Sequence, residues 1–125
     1  MSDTAEYYKS ILDNLTGGLV SIDMDGEIIY INPTAGKILH MADPHQFIGR
    51  QFKKAFMDFP ALCDVIIETL KTHKTVHRSE VSILHGNTPL IIGYSTLQVK
   101  NGKGTLLGIA VIFQDITFAA APKKA

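Results

Sequence analysis

The chain has a single cysteine, Cys63, no net charge, and no apolar run long enough to cross a bilayer. One thiol cannot close an internal disulfide, which favours a reducing compartment. Twelve basic residues against twelve acidic ones leave no cationic footprint of the kind nucleic-acid binding requires. A spanning helix takes roughly 20 apolar residues, and no stretch approaches that. The polar, acidic start, Ser2-Asp3-Thr4-Ala5-Glu6, is unlike a secretory signal. Repeats, low-complexity segments and a second domain are missing as well. These absences predict a cytoplasmic segment that contacts neither nucleic acid nor membrane.

Catalytic signatures are equally scarce. Gly93-Tyr94-Ser95-Thr96-Leu97 starts like a nucleophile elbow but lacks the second glycine and lies inside an apparent strand. Gly102-Lys103-Gly104 has neither the earlier glycine nor the hydroxyl residue of a phosphate loop, so it reads as a turn. His73 and His77 stand four apart, but Thr75-Val76 between them reads as the start of a strand, which defeats helical metal-ligand spacing. No enzyme activity, cofactor or metal is predicted for the chain.

What is present is a well-patterned α+β domain. At 125 residues, 46% of them apolar, the chain can bury a real core. Its strongest signal is Gly18–Pro33, where Leu19–Ile22 and Ile28–Ile31 flank Asp23-Met24-Asp25-Gly26 and predict a β-hairpin. Ahead of it, Tyr8, Ile11, Leu12 and Leu15 recur at helical spacing, with Asp3 and Glu6 as a capping pair and Gly17-Gly18 as the stop. This apolar stripe must be buried, against its own domain or against the same helix of a second subunit. The homodimer is the reading carried forward.

Asn32-Pro33 predicts a capped helix with Ala35, Ile38 and Leu39 inward. A short helical piece follows at 51–56. Pro60 then opens the best helix, with Leu62, Val65, Ile66, Thr69 and Leu70 as its ridge. The last third predicts three long antiparallel strands, at 75–84, 88–99 and 105–116, broken by His85-Gly86-Asn87 and Asn101-Gly102-Lys103-Gly104. The chain divides into an N-terminal amphipathic helix (1–17), one domain (18–117) and a tail or start of linker (118–125).

Several of these stretches together resemble a PAS domain. Asp23-Met24-Asp25-Gly26, Ile28 and Asn32-Pro33 resemble its opening D-x-x-G-x-I-x-x-x-N pattern. Phe47-Ile48-Gly49-Arg50 resembles the step before its central helices, and Asp115-Ile116-Thr117 its closing D-I-T. The resemblance covers roughly residues 8–117. It implies a five-stranded antiparallel sheet with short helices packed on one face and an N-terminal amphipathic helix.

By function, it implies a regulatory sensor of a bacterial signal-transduction protein, most like the sensory boxes of two-component histidine kinases. Such a domain feeds a phosphorelay through an output domain of the same protein. In that family Asp115 and Thr117 would tie the end of the sheet to the output helix. The bland alternative for both is a plain strand terminus.

Leu39, Val65, Ile66, Leu70, Ile83, Ile112 and Phe113 would line a pocket for a small-molecule ligand, or simply fill the core. Residue parity in the last strand is left unassigned. Flavin-binding members carry a reactive cysteine in a Gly-Arg-Asn-Cys stretch, and here Gly49-Arg50-Gln51-Phe52 has phenylalanine in its place. None of His40, His45, His73, His77 and His85 has the setting of a haem ligand. A haem- or flavin-binding module stays open as the alternative. So does a PAS domain ahead of a transcriptional regulator or a cyclic-dinucleotide enzyme.

Overall fold

The computed structural model describes residues 2–85 and 87–117. The expected tail at 118–125 lies outside the described residues, as does Gly86 of the turn expected at 85–87. In chain order come α1 (Ser2–Asp13), β1 (Gly18–Asp23), β2 (Ile28–Ile31) and α2 (Pro33–Ile38). A 3-10 turn (Pro44–Phe47) leads to α3 (Phe52–Ala55) and α4 (Pro60–Thr72). Then follow β3 (Ser79–His85), β4 (Thr88–Lys100) and β5 (Leu106–Asp115).

Two hairpin turns use the same side-chain device. Asp23 Oδ1 accepts from the N–H groups of Asp25 and Glu27, both at 2.9 Å. Asn101 Oδ1 accepts from Lys103 N–H at 2.8 Å and Thr105 N–H at 3.0 Å. An Asx side chain thereby substitutes for backbone partners across each turn. Each turn also contains a glycine at positive φ, Gly26 at 89° and Gly104 at 83°.

The strands form one antiparallel sheet in the order β2-β1-β5-β4-β3. The first strand and the last are therefore central neighbours. Ile109, Val111 and Phe113 of β5 join Val20, Ile22, Ile28 and Ile31 in a core closed by Phe52, Phe56, Phe59, Leu62 and Ile66 from the helical side. Alternation sends Ala110 and Ile112 to the opposite face, where their partners are Ser21 and Leu19 of β1. The helices thus cover one face, as the resemblance implied.

Three boundaries differ from expectation. Strand β3 begins at Ser79 rather than residue 75 because Arg78 takes a left-handed conformation, φ 58°, that breaks the extended run. Helix α2 stops at Ile38, one residue short of Leu39, and a 3-10 turn at Pro44–Phe47 precedes the helical piece expected at 51–56. Helix α1 stops at Asp13, and its exposed residues from Asp3 to Ile11 have no extensive contact with any strand or other helix. Of the stripe, Tyr8 and Ile11 are exposed while Leu12 and Leu15 are half-buried.

Candidate functional site

The end of β5 is held by a small, specific set of bonds. Asp115 Oδ1 accepts from Thr117 N–H at 3.0 Å and from Thr117 Oγ1 at 2.6 Å. The same hydroxyl accepts from Ile91 N–H at 3.0 Å, and Ile116 N–H donates to Ile91 O at 2.8 Å. Both backbone groups of Ile91 are therefore committed to the chain leaving the sheet. A hydroxyl donates to Asp115 and accepts from Ile91 through a single oxygen. Ile116 then folds across Gly93, where a β-carbon would lie 3.1 Å from Ile116 Cδ1. Asp115 and Thr117, the residues expected to couple the sheet to an output, are brought together with a partner, Ile91, that carries no sequence signal.

The start of the sheet is held by Asn32, which is fully buried. Its Oδ1 accepts from the N–H groups of Leu19 and Ala35, both at 2.9 Å. Its Nδ2 donates to Leu12 O at 2.9 Å and Gly17 O at 3.1 Å. Sequence reasoning assigns this side chain the helix cap alone. The other three bonds join α1, the α1–β1 connection and β1 to α2.

A groove of about 550 Å³ runs between α4 and the far side of the sheet. Ala61, Asp64, Val65, Glu68, Thr69 and Thr72 of α4 line one side, and Lys74, Val76, Val81 and Tyr94 form the second wall. Its second wall is pinned where Val76 N–H donates to Thr96 Oγ1 at 2.9 Å and Thr96 N–H donates to Val76 O at 3.0 Å. Thr69 satisfies its own hydroxyl on Val65 O at 2.8 Å.

The seven residues expected around a pocket do not converge on it. Leu39, Ile66, Ile83 and Phe113 are buried in the filled core, so their apolar character is spent on packing. Val65 lines the groove. Leu70 lines a second, shallower groove with Met24, Phe52 and Ile67. Ile112 belongs to the outer face of the sheet, opposite Leu19 and Ser95, so it lies away from the helices and instead lines a groove of about 430 Å³ there with Gly93, Phe113 and Ile116.

Cys63 is half-buried on α4, and its thiol donates to Phe56 O at 3.3 Å. Burial first, and Asp64 second, push the thiol pKa above its ordinary value, against a lowering pull from Lys53. A raised pKa disfavours the reactive thiolate. His73 is the left-handed cap of α4, and His45 lies beside Tyr30 with ring centroids 5.9 Å apart. Among the described residues no group of three or more His, Cys, Asp or Glu side chains is placed to hold a metal ion. No helix among them is long and apolar enough to cross a membrane.

An antiparallel sheet in the order β2-β1-β5-β4-β3, with its helices on one face, is the architecture of a PAS fold. The PAS domain family profile matches residues 16–118, and the chain belongs to that family. Among its relatives, the signal transduction histidine-protein kinase AtoS of Escherichia coli is 27% identical over 118 residues. That match takes in 94% of this chain but only 19% of AtoS. The PAS domain of Bordetella pertussis BvgS superposes with a TM-score of 0.71 at 19% identity, covering 92% of this chain and 88% of that one. VqmA of Vibrio cholerae, a dimeric LuxR-type receptor with a target DNA, superposes with a TM-score of 0.68 at 17% identity, over 92% and 52%. At such identities the two structures establish the fold alone.

Proposed function

We propose that this PAS domain is the sensory input of a bacterial sensor histidine kinase and passes its signal through the end of β5 to an output domain. The exit set of Asp115, Thr117 and Ile91 carries this reading. It fixes the direction in which the chain leaves the sheet through three side-chain hydrogen bonds, so a small shift of β4 against β5 redirects whatever follows. Such a shift biases one of two output states. The 27% match to a histidine kinase supports the choice of output.

The experiment uses the full-length protein. Asp115→Ala removes the acceptor for both Thr117 groups and is expected to change autophosphorylation at least about tenfold, a coupling of roughly 1.4 kcal/mol. The isolated domain should stay folded, because Asp115 is exposed. Unchanged kinase output in Asp115→Ala would sink the assignment.

A second reading, a small-molecule receptor, is favoured by the groove beside α4. Its apolar Val65, Val76 and Val81 together with the charged Asp64, Glu68 and Lys74 suit a small ligand with an apolar body and a polar end. Native mass spectrometry of freshly purified protein should then show a bound mass that Val65→Phe abolishes. A colourless sample without added mass removes this reading, haem and flavin included.

A further inference from the structure

The connection that follows α1 runs beside the end of β5, with Gly17 against Phe113 O and the Gln114 side chain, and the beginning of α2 ties that connection to the core. Two carbonyls of the incoming segment receive side-chain donors, Leu12 O from Asn32 Nδ2 and Leu15 O from Thr34 Oγ1, each at 2.9 Å. The next residue, Ala35, is fully buried against Gly18 and Phe113. No space is left there: a β-carbon on Gly18 would come within 2.8 Å of the Phe113 ring and 2.9 Å of Ala35 Cα. Gly18 and Phe113 are also cross-strand partners, and Phe113 stands two residues before Asp115 on the same strand. Close-packed contacts of this kind transmit displacement because the interior scarcely compresses.

We propose that α1, the start of α2 and the end of β5 form a relay. A change in the direction of α1 reaches the exit at Asp115–Thr117 through Asn32, Thr34 and the Ala35–Gly18–Phe113 contact, and does not pass through the groove beside α4. The domain then accepts two inputs, one at the groove and one arriving mechanically through α1. The relay rests on the reading of β5 as the output strand. Its test needs no kinase, so failure of the kinase assignment and failure of the relay are told apart.

The test is amide hydrogen exchange, followed residue by residue by NMR in this 125-residue chain. Thr34→Val keeps the side-chain shape and removes the donor to Leu15, whereas Thr34→Ser keeps the donor. The amides of Ile91 and Ile116, which close the exit, are expected to exchange up to about tenfold faster in Thr34→Val, the scale set by one net hydrogen bond. Thr34→Ser should restore them, and the Ile66 amide in α4 should keep its rate in both variants. Unchanged Ile91 and Ile116 amides overturn the relay. So does failure of Thr34→Ser to restore them, or an equal acceleration at Ile66, which reports a general loss of stability. If Thr34→Val does not fold, Thr34→Ala carries the same expectation.

Discussion

Asn32→Ala is expected to lower the stability of the domain by about 3 kcal/mol, a melting-temperature drop on the order of 10 °C. This one fully buried side chain makes four hydrogen bonds. Loss of the helix cap alone costs about 1 kcal/mol. The Leu19 N–H and the Gly17 carbonyl are then left in a buried setting, where an unpaired polar group costs about 1–3 kcal/mol. The Leu12 carbonyl sits in a less buried setting, so water can replace the lost donor there. Against a typical total of about 5–15 kcal/mol this is a large fraction. Asn32→Asp separates the two halves of the effect, since it keeps both acceptor bonds and presents an oxygen to the carbonyls of Leu12 and Gly17. Urea denaturation measures both variants. A loss below about 1 kcal/mol in Asn32→Ala would mean that the cap is the whole contribution.

Ile11→Glu is expected to convert a homodimer into a monomer without unfolding it. A solitary α1 leaves its large apolar side chains in water. Tyr7, Tyr8 and Ile11 are 65%, 59% and 46% exposed, and α1 has only 12 residues. A helix of that length without tertiary packing is marginal in water. A second copy of the same helix, laid along the Tyr8–Ile11 stripe, would supply the missing contact and continue toward the half-buried Leu12 and Leu15. A carboxylate at Ile11 would have to be desolvated inside that interface, which should weaken association by at least about a hundredfold, or about 2.7 kcal/mol. The side chain is exposed in the single chain, so the melting temperature of the monomer should hardly move. Sedimentation velocity decides the matter. Wild type already monomeric at tens of micromolar, on the order of ordinary dimer affinities, ends the dimer proposal.

The order of elements was readable because each carries its own period or turn chemistry. The Asp23 and Asn101 turns, the Asn32-Pro33 start and the Leu62–Leu70 ridge all behave as their residue types dictate. The closing Asp115-Ile116-Thr117 was readable too, although its partner Ile91 was not, since a backbone amide leaves no mark in the sequence. The lining of a pocket was the least legible part. In Ile109–Phe113 five consecutive apolar residues conceal which face each occupies, and Ile112 falls on the outer one. Leu39 and Ile66 were apolar at helical spacing, which describes a filled core as well as a cavity. The start of β3 misled because Thr75-Val76 runs beside Thr96 without entering the ladder, and only the backbone of Arg78 reveals where the strand begins.

The pairing of Gly18 with Phe113 sets the width of the doorway through which the chain passes. Antiparallel partners stand about 5 Å apart at Cα, little more than one residue's advance along a chain. The stretch from Gly18 to Phe113 therefore closes almost on itself, a loop of nearly a hundred residues whose two ends are held one strand spacing apart.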